Sequence, residues 1–418
     1  MNESIVKIYS NAKTSAKKDN LSTQSASPRW SRIEVILKVS ERCNIDCTYC
    51  YFFNSTNQDF KEHPAYIQHK TVEACAKFLA NAVRESNAPY LQIDFHGGEP
   101  LMMKKHRFDE MCNTFKYHLN QIVELKFAIQ TNAMLIDHEW LSIFAKHEIS
   151  IGISLDGPKH IHDTNRIDHQ KKGTYDQSIK GIRLIQDSDL PGLENSAGVI
   201  CVIDPDADAR TIFNHFVDDL QLKSLHYILP IEDHDTFNKE KYTRMTKYLC
   251  DLFDAWVERK NPEIQIRYFF RLLSRLTGGK RTKIITDRIL SETFAFTVAS
   301  NGDIGPADDL RNTFPQLFRT NNNVFDRQLK DFIHSPSLSN HFLATQERHE
   351  ECLSCCWGNI CDGCDILESE TFRYSRQNSF KNKSVYCTSI EELMIHMTNF
   401  TLEKGVAFEK ISEVLITD

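Results

Sequence analysis

Apolar and polar positions follow two periods that take turns along the chain. "IEVILKVS" (33–40), "YLQIDFH" (90–96), "LKFAIQTN" (125–132), "ISIGISLDG" (149–157), "SAGVICVI" (196–203) and "LHYILP" (225–230) are short runs rich in β-branched and aromatic residues. They predict strands. Between them, "HKTVEACAKFLANAVRES" (69–86), a stretch near 104–121, "DHEWLSIFAKH" (137–147), "TYDQSIKGIRLIQDS" (174–188) and a stretch near 208–220 repeat at helical spacing. Strand and helix alternating over short connections predict a parallel sheet with helical crossovers. Six buried strands of this kind fit a barrel or partial barrel.

The pattern changes outside this core. Residues 1–30 are polar, without periodicity, and read as a flexible arm. The barrel is expected over 31–235 and a helical connector over 236–285. "FAFTVASNGDIGPADDL" then reads as a hairpin turning at Asn301-Gly302. It opens a cysteine-rich region expected over 286–390. A tail of one or two amphipathic helices follows over 391–418.

Composition narrows the function classes. The chain has 418 residues, 41% of them hydrophobic, enough for a large core. A net charge of −7 argues against binding nucleic acid by neutralising phosphates. No apolar run approaches the roughly 20 residues of a membrane span. The first residues lack the apolar core of a secretory signal. A cytoplasmic, soluble monomer with no nucleic-acid or membrane partner is expected. In that compartment 13 cysteines do not suggest a disulfide framework. Cys75, Cys112, Cys201 and Cys250 lie among apolar residues and read as buried thiols.

The other cysteines cluster. "SERCNIDCTYCY" places Cys43, Cys47 and Cys50 in C-x3-C-x2-C spacing directly after the first strand. Chemistry in α/β barrels gathers on the loops at that end of the strands. Cysteine thiolates hold iron–sulfur clusters, and three of them leave one iron of a four-iron cluster open. The other reading is three of the four ligands of a zinc site.

This loop, with Tyr49 before its last cysteine, resembles the signature of radical S-adenosylmethionine (SAM) enzymes. The resemblance implies a partial (β/α)6 TIM-like barrel, an α/β fold. It also implies a [4Fe–4S] cluster on Cys43, Cys47 and Cys50, with SAM chelating the open iron. Reductive cleavage of SAM would then give a 5′-deoxyadenosyl radical that takes a hydrogen atom from the substrate. An electron donor such as flavodoxin or ferredoxin is expected. "HGGEP" (96–100) resembles the family's GGEP turn, so Gly97, Gly98 and Glu99 are expected at SAM, Glu99 as acceptor for its amino group. "QTNAMLI" (130–136) resembles the family's fourth-strand element, with Ala133 where Gly is usual. The segment 154–182 resembles that of anaerobic sulfatase-maturating enzymes and peptide maturases. By that match Ser154 approaches the SAM ribose, and Arg166 the methionine carboxylate. The plainer reading of Arg166 is a surface salt bridge.

"CLSCCWGNICDGC" (352–364), with Cys387 downstream, suits either a four-thiolate zinc site or the SPASM extension of radical SAM enzymes, which carries auxiliary clusters. The chain departs from the SPASM pattern. No cysteine lies between Cys250 and Cys352, Ala307 stands where the family has one, and Cys364 comes one residue early. The resemblance then implies one auxiliary [4Fe–4S] cluster on Cys352, Cys355, Cys361 and Cys387, with Cys364 as the alternative fourth ligand. Asp308 follows Ala307 and is the candidate general base, its plain reading being an exposed hairpin carboxylate. The expected substrate is a ribosomal precursor peptide, and the chain looks most like cyclophane-forming maturases of the XYE type, which join an aromatic ring to a β-carbon. The alternatives are formylglycine formation, another peptide maturation such as a thioether, or a zinc-stabilised interaction protein.

Overall fold

The computed structural model describes residues 30–55, 57–193, 197–278, 293–319, 321–361 and 369–416. The arm expected over 1–30, apart from Trp30, and Cys364 lie outside these residues. Nine strands are assigned among the described residues: β1 Arg32–Ser40, β2 Tyr90–Gly97, β3 Glu124–Thr131, β4 Ile149–Ser154, β5 Ala197–Val202, β6 Ser224–Ile228, β7 Gln265–Ile266, β8 Thr293–Val298 and β9 Ile304–Gly305. The helices between the first five are α1 His69–Ser86, α2 Lys105–Leu119, α3 His138–His147, α4 Lys159–Asn165 and α5 Tyr175–Gln186. This is the α/β fold with a parallel sheet that the alternating pattern predicts. The short helix α4 has no clear apolar period and was not legible in that pattern.

The chain divides into two compact units. The first holds the described residues of 26–201 and 283–340. Its strands run in the order β5-β4-β3-β2-β1-β8-β9. All neighbours are parallel except β8 and β9, which pair antiparallel. β1 is central, and Leu37, Lys38, Val39 and Ser40 are consecutively buried, so both faces of its C-terminal half are covered. The hairpin read from sequence as the start of a separate domain instead lays β8 beside β1. The stretch 286–390 therefore divides between the two units.

Aromatic packing closes the first unit. Phe95 on β2 is fully buried and meets Phe108 of α2 at 4.9 Å and Phe127 of β3 at 5.2 Å between ring centres. Phe108 meets Trp140 of α3 at 5.2 Å. Helix α3 starts on Asp137, whose carboxylate accepts the Trp140 N–H at 3.0 Å.

The second unit holds the described residues of 202–282 and 341–418. In it β6 and β7 pair in parallel. Helices Met245–Glu258, Arg267–Leu276 and Cys387–Glu403 pack through Phe253, which stands edge-on to Phe269 and Phe400. No described helix is long and apolar enough to cross a membrane.

Phe95→Ala is expected to cost about 3–5 kcal/mol, because its neighbours on two elements cannot both collapse into the space. Equilibrium denaturation in urea measures this.

Candidate active site

Parallel register brings the sequence motifs to one edge. Ser40 pairs with Gly97, Thr131 with Ile153 and Ser154 with Ile200. The three-cysteine loop, the GGEP turn, the QTNA turn and the SLDG turn thus leave the C-terminal ends of β1, β2, β3 and β4. The QTNA turn closes the third strand of this chain, not the fourth.

Gly97 and Gly98 are needed for close approach to the protein's own backbone. A Cβ on Gly97, whose φ is +142°, would stand 2.0 Å from the Ser40 carbonyl oxygen. One on Gly98 would stand 2.2 Å from that of Arg42. The Gly98 N–H donates to Ser40 O at 2.7 Å and the Glu99 N–H to Arg42 O at 2.8 Å. The GGEP turn is therefore fastened to the chain leading into Cys43. From the other side, the loop is held by Asp46 N–H to Ile167 O at 2.7 Å and Thr48 N–H to Asn165 O at 3.0 Å.

Glu99 is buried. Its carboxylate accepts from Thr131 Oγ1 at 2.7 Å, the Asn132 N–H at 2.9 Å and the Leu101 N–H at 3.1 Å. Burial pushes its pKa up to about 7 against those hydrogen bonds. Asn132 also donates through its side chain to Asn44 Oδ1 at 2.8 Å, joining the β3 turn to the cysteine loop. Ala133 takes φ +63°, the left-handed conformation that explains the preference for glycine there. Ser154 Oγ accepts from Gln130 Nε2 at 2.7 Å.

Cys43, Cys47 and Cys50 are free thiols, and they lie close enough that Cys47 and Cys50 push Cys43 up and Cys50 pushes Cys47 up electrostatically. Burial pushes Cys47 up to about 11, with Arg166 opposing. Arg166 is buried, so its ion pair is not a surface one. Its Nε donates to Asp156 Oδ2 at 3.0 Å, and its guanidinium reaches Cys47 Sγ at 3.8 Å. Tyr49 donates its hydroxyl to the same Asp156 oxygen, and its ring lies 5.7 Å from the guanidinium carbon. Asp156, Asn132 and Thr131 were not singled out from sequence. Their signal was membership of the QTNAMLI and 154–182 segments, each a polar residue at or just past the end of a buried strand.

Asp308 is buried rather than exposed on its hairpin. Lys38 and Tyr51 both donate to its Oδ2, and Arg311 Nε reaches Oδ1 at 3.3 Å. Arg311 in turn grips both oxygens of Asp59 at 2.9 Å. Lys38 Nζ also lies 3.1 Å from His96 Nδ1. Lys38 was missed in the sequence, although a lysine inside the apolar run "VILKVS" is a signal, since lysine is rarely buried without a partner.

Comparison with known proteins fits this geometry. Residues 37–214 match the radical SAM superfamily. The chain carries a radical SAM domain. It is 26% identical over 369 residues to the cysteine-type anaerobic sulfatase-maturating enzyme of Clostridium perfringens (strain ATCC 13124), covering 86% of this chain and 94% of that one. It is 24% identical over 366 residues to the serine-type enzyme of Bacteroides thetaiotaomicron, covering 82% and 83%. Native anSMEcpe with bound AdoMet and Cp18Cys peptide superposes with a TM-score of 0.71, at 24% identity over 88% of this chain and 99% of that one. Histidine-tagged anSMEcpe with bound AdoMet gives 0.73, at 23% identity over 92% and 98%. These superpositions show the fold. The protein is a radical SAM enzyme, working with a [4Fe–4S] cluster and SAM. Its donor set fits, with three neighbouring free thiols on a loop at the sheet's C-terminal edge. Among the described residues no three His, Cys, Asp or Glu side chains converge on a single metal ion, which a cluster of separated irons does not require.

In the second unit Cys352, Cys355, Cys361 and Cys387 are not joined in disulfides, and Cys387 feels the charge of each of the other three. Cys356 is buried. Lys383 and Arg373 lie near Cys352.

Gly98→Ala is expected to fold but to lose most of its iron, because a 2.2 Å contact moves the chain entering Cys43. Iron analysis after anaerobic reconstitution reads this.

Proposed function

We propose that this radical SAM enzyme oxidises a cysteine or serine side chain of a peptide or protein at its β-carbon, as in formylglycine formation. The carrying observation is a match to a cysteine-type sulfatase-maturating enzyme over 86% of this chain and 94% of that protein. The bound cluster and SAM would supply one-electron cleavage of SAM and, with it, the acceptor for a substrate hydrogen atom. The chain's own residues would do the rest. Cys43, Cys47 and Cys50 hold the cluster. Glu99 accepts the SAM amino group, and Arg166, steadied by Asp156 and Tyr49, faces its carboxylate. Ser154 lies toward the ribose. Gly97 and Gly98 set the turn that carries Glu99. Cys352, Cys355, Cys361 and Cys387 would close an auxiliary cluster, with flavodoxin or ferredoxin as electron source.

A second reading, crosslinking an aromatic ring to a β-carbon in a precursor peptide, is favoured by one observation. The chain has Ala307 where the SPASM pattern has cysteine, and no cysteine between Cys250 and Cys352. Both readings begin with removal of a β-hydrogen.

Anaerobic incubation with SAM, reductant and the Cp18Cys peptide, followed by mass spectrometry, separates them. An aldehyde at the cysteine supports the first reading. An unchanged Cp18Cys peptide, together with loss of two hydrogens and a fragmentation block in a co-expressed neighbouring short peptide, replaces it with the second. Cys43→Ala is expected to abolish 5′-deoxyadenosine in either case. Cys387→Ala, but not Cys364→Ala, is expected to lower iron content while sparing SAM cleavage.

SAM affinity should weaken as pH falls through about 7, because Glu99 then gains a proton and no longer attracts an ammonium group. The sign follows from the raised pKa: the anion exists only above it. In Glu99→Gln binding is weak and flat with pH, as titration calorimetry on the reconstituted enzyme would show.

A further inference from the structure

Lys38 sits on the central strand β1 with its side chain wholly enclosed, at 0% exposure. An ammonium there needs partners, and it has three kinds. It donates to Asp308 Oδ2, lies 3.1 Å from His96 Nδ1, and stands 4.5 Å from the centre of the Phe52 ring. An ammonium cannot accept, so His96 Nδ1 must. Asp308 is nearly as enclosed as Lys38. Its Oδ2 also takes the Tyr51 hydroxyl, and its Oδ1 faces Arg311. His96 and Tyr51 are half-buried residues, and each touches one member of the ion pair.

A general base must reach the proton it takes and must hold it at the working pH. An enclosed carboxylate with Tyr51, a lysine and an arginine on it meets neither condition. Burial opposes its charge, but Lys38 and Arg311 outweigh burial and hold it well below the usual carboxylate range. Burial lowers Lys38, and Asp308 opposes that. The other charged or titratable groups facing the pair are Glu41, Asp59, His96, Tyr51 and Arg311, with Asp309 near Tyr51. Burial pushes His96 down to about 3, aided by Lys38, so it is neutral.

We infer that Lys38 is a positioning residue and Asp308 its fixed counter-ion, the pair holding His96 and Tyr51 in place beside the cysteine loop without taking a proton from the substrate. Tyr51 directly follows Cys50, so the pair reaches the cluster loop through one hydroxyl. The inference rests on the proposed reading of the chain as an enzyme that oxidises a peptide side chain. It replaces the role of general base that the hairpin sequence suggests for Asp308.

The test uses reconstituted holoenzyme as wild type, Lys38→Met, Lys38→Arg, Asp308→Asn and the Lys38→Met/Asp308→Asn double variant. Product from the Cp18Cys peptide is measured per 5′-deoxyadenosine from about pH 6 to about pH 9, and thermal unfolding is followed alongside. Each of Lys38→Met and Asp308→Asn is expected to lose about ten-fold in that ratio or more, because each leaves one enclosed charge without its partner. The double variant is expected to recover to within about three-fold of wild type, and Lys38→Arg to lie close to it. Lys38→Met acquires an acid limb, since the enclosed carboxyl of Asp308 rises without its ammonium. The wild type and the double variant have none. A double variant no better than Asp308→Asn alone would make Asp308 the proton acceptor and overturn the inference. If wild type forms 5′-deoxyadenosine but leaves the peptide unchanged, the substrate reading fails, and the pair is judged by unfolding. Single variants that melt early with a double variant that does not support it, while additive losses overturn it.

Discussion

The close seating of one turn on another organises the radical SAM site. Gly97 and Gly98 lie so near the backbone of Ser40–Arg42 that neither tolerates a Cβ without movement. Two backbone hydrogen bonds, from Gly98 and Glu99 to Ser40 and Arg42, fix the separation. The cysteine loop therefore cannot shift independently of the turn that carries Glu99. The Asn132 to Asn44 hydrogen bond adds the β3 turn to the same assembly, and the 165–167 segment closes it from the other side. Three thiols on a mobile loop would bind a cluster poorly, since ordering the loop would be paid at binding. Here the ordering is done by the sheet edge beforehand.

Charge is the second constraint on the site. Two enclosed ion pairs flank the cysteine loop: Arg166 with Asp156, and Lys38 with Asp308. Removing one partner from such a pair typically costs roughly 3–5 kcal/mol, because the other is left without water or counter-charge. Hydrophobic isosteres would often do as well for stability. The Arg166 pair is tied to chemistry by its reach to Cys47 and by Tyr49, which shares the Asp156 oxygen. The Lys38 pair is tied to the loop through Tyr51. Both place a phenol from the loop on a carboxylate from outside it, so the loop is held at two points, one on each side of Cys50.

Much of this was legible in the sequence because the chemistry itself demands a pattern. Cys43, Cys47 and Cys50 must be close in the chain to share one loop, and the apolar runs of β1 to β5 alternate with helices whose observed bounds lie within a few residues of the expected ones. What stayed hidden depends on contacts distant in sequence. Lys38 and Asp308 are 270 residues apart, and no local period joins them. The pairing of β8 with β1 is of the same kind: the hairpin residues show that a turn exists at Asn301-Gly302 but not which strand lies beside it. Ala133 is an intermediate case, because its departure from glycine is visible, whereas its left-handed φ, which the turn imposes regardless, is not.

The position of β8 decides how Asp308 should be understood. A hairpin in a separate, solvated domain would leave that carboxylate exposed and free to accept a proton. Parallel pairing with β1 instead carries residues 304–311 to the cysteine loop, where Arg311 locks onto Asp59 and Asp308 meets the lysine of the central strand. The same topology that brings the aspartate to the cysteine loop thus surrounds it with cations. Proximity and basicity are set against each other here: the contacts that hold Asp308 close are the ones that lower its affinity for a proton. On the proposed peptide-oxidising reading, any proton leaving the substrate would go to a group with fewer donors on it, or to water.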